Sequence, residues 1–336
     1  MLIESFDRTG PYVAPLVVGI DAGGTRVRAR CADADGRLVG TGHGGPGNAL
    51  SVERPALVRH LAQALESAVP EKLRGAVAGV VGGFAGAGEG GAPARGRGMA
   101  EECLAEALAR LGIGDAVLRV YGDVEVACAS GPGAPADGLV LIAGTGAAAA
   151  RVAGRRTVRV VDGDGWLLGD TGSGFWLGRQ ALRGALRAVD GRAEWGPLVT
   201  LVLDRVVPGR ADPALDWAGR HRLKQHIAAW AYAQRPIVLA ELSPLVVAAA
   251  ERGDARARSL LDEAAAQLVD TVGALNPEPG ESLIVTGGLL GPGGPLGERL
   301  GKAVEPMGLR CSAVPDGVGG AVALARLLAD GASGTP

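Results

Sequence analysis

The sequence predicts an α/β protein of two domains, both built on the same β-meander. Three observations lead there. Residues 16–20 form an apolar run that ends in Asp21-Ala-Gly-Gly-Thr25, and an alternating stretch at 27–31, the Asp33-Ala-Asp-Gly36 turn and a second short run at 38–40 follow it. The same grammar returns at 140–143, in the Gly144-Thr145-Gly146 loop, and in the alternating stretches at 150–153 and 157–161. A strand–Gly loop–strand unit that occurs twice implies a duplicated domain. The chain length of 336 residues, 47% of them hydrophobic, is sufficient for two cores.

These signals divide the chain into a loose N-terminal arm at 1–15, a first α/β domain at 16–130 with 317–336, and a second at 131–316. The last helix is expected to return to the first domain, and a ligand cleft is expected between the two. Two Gly-Thr loops facing such a cleft could hold a polyphosphate through backbone N–H groups and threonine hydroxyls.

In chain order, Asp21 ends a buried strand. It is either a turn residue or a carboxylate holding Mg²⁺ through water. The loop does not open a helix, because Val27, Ala29 and Cys31 alternate with Arg26, Arg28 and Arg30 at strand period, so a dinucleotide fingerprint is excluded there. Gly44-Gly-Pro-Gly-Asn48 precedes a helix at 52–69, which makes Asn48 either a cap or a polar group lining a site. A strand at 75–84 runs into a second glycine cluster, in which Gly86, Gly88 and Gly91 match G-x-G-x-x-G. The distance to the next helix, at 99–111, and the absence of a spaced acid weaken that match. With 56 glycines in 336 residues, isolated glycine patterns carry little weight. The strand at 116–121 ends in Gly122-Asp123, and a helix follows. Asp123 is thus a helix cap or a catalytic group at the carboxyl end of a strand.

Beyond a Pro/Gly linker at 131–138 and the second meander, Asp162-Gly-Asp-Gly-Trp-Leu-Leu-Gly-Asp170-Thr-Gly-Ser-Gly174 reads as a binding loop or a solvated connector. It feeds a helix at 175–189. Helices are predicted at 199–206, 221–232, 238–252 and 254–274, then a strand at 281–288 whose Gly287-Gly288 would let a nucleoside lie against backbone. Helices at 296–304 and 321–329 complete the chain.

Composition restricts the partners. The formal charge is −2 and no basic stripe is present, so nucleic acid is excluded as a partner. No stretch of about 20 apolar residues exists to span a membrane, and the first residues lack a signal-peptide pattern. Cys31, Cys103, Cys128 and Cys311 are scattered, without metal spacing, which suits free thiols in a reducing compartment and a cytoplasmic protein.

The order Asp21-Ala-Gly-Gly-Thr25, Gly45-Pro-Gly-Asn48, Gly122-Asp123, Gly144-Thr-Gly146, Leu168-Gly-Asp-Thr-Gly-Ser-Gly174, Val285-Thr-Gly-Gly288 and Pro315-Asp-Gly-Val-Gly-Gly320 resembles the BadF/BadG/BcrA/BcrD-type ATPases, and within them the N-acetylglucosamine kinases of the sugar kinase/Hsp70/actin superfamily. The likeness covers nearly the whole chain beyond the first fifteen residues. It implies a two-domain, actin-like (ribonuclease H-like) ATPase fold and ATP-dependent phosphorylation of an amino sugar, N-acetylglucosamine or glucosamine, at the C6 hydroxyl, by a homodimer. It further implies that Gly23, Gly24 and Thr25 form one phosphate loop and Gly144, Thr145 and Gly146 the other, and that Asp21 holds Mg²⁺. Asn48, Gly165 and Asp170 would contact the sugar, Asp123 would be the general base, and Gly287 and Gly288 would meet the adenosine of ATP.

Three positions depart from the family pattern: Thr171 stands where a glutamate is usual, Ala147 where serine is frequent, and Asp164 where tryptophan is frequent. Almost no lysine is present and no Walker A sequence occurs; backbone loops with Mg²⁺ can supply the charge neutralisation that phosphoryl transfer requires. Two other functions are compatible with the resemblance: an ATPase that activates a reductase, which needs paired cysteines for an iron–sulfur cluster, and a non-catalytic sugar or nucleotide sensor.

Overall fold

A computed structural model describes residues 15–88 and 94–333. The expected N-terminal arm lies, except for its last residue, outside these residues, as does Gly91 of the glycine cluster. The described residues up to Val126, with those from Gly317 onward, form one compact unit; Ala127–Asp316 form the other.

The first unit is built on a five-stranded sheet. Strands β1 (Leu16–Ala22), β2 (Val27–Asp33) and β3 (Leu38–Gly44) form an antiparallel meander, and β4 (Val77–Phe84) and β5 (Val117–Gly122) add parallel to β1, giving the order β3-β2-β1-β4-β5. β1 is buried along its whole length, as a strand covered on both faces must be. Helices α1 (Arg54–Ala68) and α2 (Ala94–Arg110) close one core, with Leu57, Leu61, Leu65 and Leu104 fully buried against Ile20 and Phe84. β3 continues four residues past the predicted run. Gly40, Gly42 and Gly44 lie where any Cβ would collide with the carbonyls of Ala68, Ala64 and His60 on α1, so the glycines that resemble a loop in sequence are the face on which the helix rests. Helix α3 (Asp123–Ala129) follows β5, and the division between the units falls inside it, earlier than the linker at 131–138. Val126 packs on Gly83 and Gly317 of the first unit, whereas Cys128 lies beside Gly138 of the second.

The second unit repeats the scheme. β6 (Gly138–Ala143), β7 (Ala147–Ala153) and β8 (Arg156–Asp162) form the meander, and β9 (Ser282–Thr286) and β10 (Arg310–Ala313) extend it in the order β10-β9-β6-β7-β8, with β9 parallel to β6 and β10 parallel to β9. The meander is duplicated, as its sequence grammar indicates. Between β8 and β9 lie α4 (Gly165–Leu168), α5 (Gly174–Val189), α6 (Pro197–Val206), α7 (Trp217–Ala233), α8 (Ser243–Glu251) and α9 (Ala255–Gly273), and α10 (Gly297–Val304) joins β9 to β10. Their core includes Leu139, Leu141, Leu177, Leu203, Ile227 and Leu268. The predicted helix at 238–252 begins as a 3-10 segment over Pro236–Leu242 before α8 starts at Ser243.

The last helix, α11 (Val318–Ser333), packs on β1 and β4. A Cβ on Gly19 would collide with Val322, so the helix lies directly on the strand. Among the described residues no single helix is long and apolar enough to cross a membrane.

Candidate active site

In the first unit the candidate residues gather at the carboxyl ends of β1, β4 and β5. The parallel register aligns Ala22 with Phe84 and Phe84 with Gly122, so Asp21 and Asp123 lie at the same end of the sheet on strands two spacings apart, with Asp123 two residues further along. The Gly loop closes with Gly23 N donating to Arg26 O (3.0 Å), and Gly47 N donates to Gly23 O (2.9 Å). Gly24 and Thr25 are exposed, and a Cβ built on Gly24 would meet no atom within 4 Å. That open backbone is what a phosphate needs for close approach.

Asp21 is 8% exposed, and its Oδ2 accepts from Arg28 (3.4 Å) and from the Gly317 backbone N–H (3.3 Å). Both contacts are long, and a buried carboxylate oxygen at a strand end is a hard donor suited to Mg²⁺, which is commonly held by one or two carboxylates plus substrate phosphates. Asp21 is thus a donor of the right kind for that ion, although among the described residues no group of three potential protein ligands surrounds it.

Asn48 is half-buried. Its Oδ1 accepts from Leu50 N (2.8 Å) and Ser51 N (3.2 Å), an Asx-type turn. Its loop is fixed to the sheet through Ala49 N donating to Ala85 O, beside Ala85 N donating to Ala22 O (both 3.0 Å). The side-chain oxygen is thus used in shaping the loop, and the amide N–H₂ is the group that remains to offer a ligand. The G-x-G-x-x-G match is not a dinucleotide loop: Gly86 sits in a tight turn at φ +83°, and α2 begins only at Ala94.

Asp123 is the first residue of α3. Its Oδ1 accepts from the next backbone N–H, Val124 (3.1 Å). Burial, and then the charge of Glu125, push its pKa above the ordinary carboxylate range, against the opposing bond from Val124. A carboxylate with raised basicity at the end of a strand can accept a proton from an attacking hydroxyl.

In the second unit the Gly144-Thr145-Gly146 loop joins β6 to β7, with Gly144 N donating to Gly146 O (2.9 Å). Gly174 N donates to Gly144 O (2.8 Å) and Phe175 N to Thr145 O (3.0 Å), so the loop is seated on the start of α5, itself capped by Ser173. Gly287 and Gly288 follow β9 directly and lie against this loop. Leu289 N donates to Ala143 O (3.0 Å), and a Cβ on Gly144 would stand 3.8 Å from Gly288 N. Gly288 itself faces open space. The Gly144-Thr145-Gly146 loop and the Gly287-Gly288 pair, far apart in sequence, thus form one surface.

Asp170 joins the same surface by a route that its sequence context does not indicate. It is 8% exposed, and its Oδ1 accepts from Ala147 N (3.0 Å), directly after the Gly144-Thr145-Gly146 loop. A Cβ on Gly146 would lie 2.6 Å from that oxygen. Burial raises the Asp170 pKa; the Ala147 bond opposes this, and the charges of Asp162 and Asp164 add to it. Gly165 opens α4 at φ +81° in open space. The next three residues are exposed, Trp166 by 39%, Leu167 by 70% and Leu168 by 82%, with the Trp166 ring tilted against Phe175 at 5.9 Å.

One residue carries more of this loop than its sequence suggests. Asp162 accepts from Gly163 N (2.7 Å), Asp170 N (2.6 Å), Thr171 N (3.0 Å) and the Thr171 hydroxyl (2.6 Å). Burial acts to raise its pKa, but these donors outweigh it and hold the carboxyl below its ordinary range. The only signal in the sequence is an aspartate before glycine, a pattern that Asp162 shares with Asp164 in the same loop. The four cysteines form no disulfide; Cys31, Cys103 and Cys128 are buried, and burial pushes the Cys31 thiol up to about 11.

Known proteins share the sequence and fold of this chain to the following extent. The N-acetyl-D-glucosamine kinase of Dictyostelium discoideum is 29% identical over 191 residues, spanning 55% of this chain and 57% of that protein's length. The structure of a candidate N-acetylglucosamine kinase from Chromobacterium violaceum superposes with a TM-score of 0.67 at 27% identity, covering 93% of this chain and 99% of that one. A Porphyromonas gingivalis protein with the same designation gives a TM-score of 0.69 at 21% identity, again over 93% and 99%, a likeness of fold. The two five-stranded units are those of the actin-like sugar kinases. The family model of the BadF/BadG/BcrA/BcrD ATPases matches residues 18–325, and the chain belongs to that family.

Proposed function

We propose that this chain is an ATP-dependent amino-sugar kinase that transfers the γ-phosphoryl group of ATP to the C6 hydroxyl of N-acetylglucosamine or glucosamine. The observation that carries the reading is Asp123, a carboxylate of raised pKa at the end of β5, in the unit whose Gly24-Thr25 backbone lies open. The names of the relatives with 29% and 27% identity support the substrate class.

In this reading the substrate hydroxyl oxygen attacks the γ-phosphorus, the bond to the β-γ bridging oxygen breaks, ADP leaves, and the hydroxyl proton passes to Asp123. Phosphoryl transfer is mostly positioning and charge stabilisation. The N–H groups of Gly23 and Gly24, the Thr25 hydroxyl and the Gly144-Thr145-Gly146 loop are the phosphate donors in this reading, and Gly287 and Gly288 take the adenosine. Asn48, through its amide, together with Gly165 and Asp170, holds the sugar. Asp21 would hold Mg²⁺, which would neutralise charge on the phosphates of ATP. The free thiols suit a cytoplasmic location, and a homodimer is expected in solution.

The test is a coupled ADP-release assay over hexoses and amino sugars. ADP release that depends on an amino sugar supports the reading; ADP release indifferent to every sugar overturns it. Cys31, Cys103, Cys128 and Cys311 lie on four different elements, whereas the cluster that a reductase activator requires takes cysteines brought together.

A further inference from the structure

The loop that follows β8 is closed by one carboxylate. Residues 163–169 leave the sheet and return so that Asp162, on β8, receives the backbone N–H groups of Asp170 and Thr171 as well as the Thr171 hydroxyl, all within 3.0 Å. Gly169 is pressed so close that a Cβ there would collide with Asp162 Oδ1. The backbone is held in the left-handed region at Asp162 (φ +63°), Gly163 (+80°), Gly165 (+81°) and Asp170 (+56°), a conformation two aspartates adopt only because their surroundings over-determine it. The same Asp170 that Asp162 fixes by its N–H uses its own carboxylate to hold Ala147 N, at the edge of the phosphate loop. A continuous chain of short hydrogen bonds therefore runs from the loop carrying Gly165 to the loop carrying Thr145, within one unit.

Resting on the kinase reading, we infer that Asp162 is a positioning residue, paired with Thr171, that locks the sugar loop and the second phosphate loop into one rigid piece, so that occupancy of one is felt by the other. The carboxylate of Asp162 is taken up by its own loop; it acts through Asp170. The Thr171 hydroxyl is committed to Asp162, which makes position 171 part of the lock and not a contact for substrate.

The experiment measures binding of a non-hydrolysable ATP analogue by calorimetry, with and without N-acetylglucosamine, for the wild-type chain, Asp162→Asn, Thr171→Val and Thr171→Ser. Removal of a hydrogen bond to a charged group typically weakens the dependent equilibrium about tenfold or more. Asp162→Asn and Thr171→Val should therefore bind the analogue about tenfold more weakly, and the tightening that the sugar produces in the wild type should be lost. Thr171→Ser, which keeps the hydroxyl, should restore both. Wild-type analogue affinity in folded Thr171→Val and Asp162→Asn overturns the inference and leaves Asp162 as a turn residue. If Asp162→Asn does not fold, Thr171→Val and its serine rescue decide the point alone. A wild-type chain that binds the analogue but no sugar overturns the kinase reading, while the analogue affinities still decide the role of Asp162; a chain that binds no analogue overturns both.

Discussion

Replacing Asp123 with asparagine separates a base from a helix cap. As a cap, Asp123 is weak: its carboxylate bonds only nearby backbone, the adjacent Val124 N–H and its own, which an asparagine Oδ1 accepts equally well. As a base, it cannot be replaced, because asparagine takes no proton. General-base catalysis contributes ~10²–10⁴-fold, about 2.7–5.5 kcal/mol of barrier. The stability change points the other way. The folded-state pKa of Asp123 is raised, so between its ordinary value and the folded value the native state holds a proton that the unfolded chain has released. Stability falls with rising pH across that window, and above it the buried charge remains a constant cost. Asparagine carries no such charge. Asp123→Asn should thus lose ~10²–10⁴ in kcat with an equal or higher Tm at pH 7, and with ATP and sugar affinities little changed. The assay is steady-state ADP release beside calorimetric melting on the same preparation. Near-wild-type turnover, or a lowered Tm accounting for the loss, would refute the assignment. In the wild type, the acid limb of the kcat/KM profile should lie above the usual carboxylate range and vanish in the variant.

Other consequences follow from the geometry. Gly24→Ala and Gly288→Ala add a methyl group into open space, so Tm should be unchanged while KM for ATP rises; a fall in Tm with unchanged KM would make these glycines merely structural. Thr145→Val removes a hydroxyl from the phosphate loop and should raise KM for ATP or lower kcat, with sugar affinity retained, as steady-state kinetics will show. Asp170→Asn keeps an acceptor for Ala147 N and a side chain that tolerates positive φ, so the fold and ATP affinity should survive while sugar affinity falls; intact sugar affinity removes Asp170 from the sugar site. The depressed pKa of Asp162 means that its contribution to stability is present above the ordinary aspartate value and is lost as pH falls through the folded value. Acid unfolding followed by circular dichroism should therefore be less steep in Asp162→Asn.

Much of the fold was legible because strands buried on one face announce themselves by alternation. Val27, Ala29 and Cys31 point inward, and the arginines between them do not. The paired meanders and their Gly-Thr loops follow from that periodicity. What escaped was of another kind. β10 has four residues, mostly exposed and without a pattern; its strand character comes from pairing with β9. α4 shows solvent Trp166, Leu167 and Leu168, so no buried stripe marks it as a helix. Asp123 and Asp21 could be placed at strand ends, where α/β proteins keep their chemistry. The task of Asp162 could not, because it depends on a return of the chain eight residues later, and nothing in Asp-Gly-Asp-Gly says which aspartate the returning backbone will meet.

The seating of α11 on β1 has a consequence for biosynthesis. The second unit is contiguous in the chain, so all of its strands and helices have emerged from the ribosome by Asp316. The first unit is started first but finished last. Until residues 318–333 arrive, the face of β1 at Gly19 lacks the backbone of Val322 against which it is fitted, and β4 at Gly79 lacks Ala325. The nascent N-terminal sheet must wait, with an apolar face uncovered, while the entire second unit is translated. At ~5–20 residues per second, that wait lasts roughly ten to forty seconds, the interval in which a chaperone would most affect the yield of this protein.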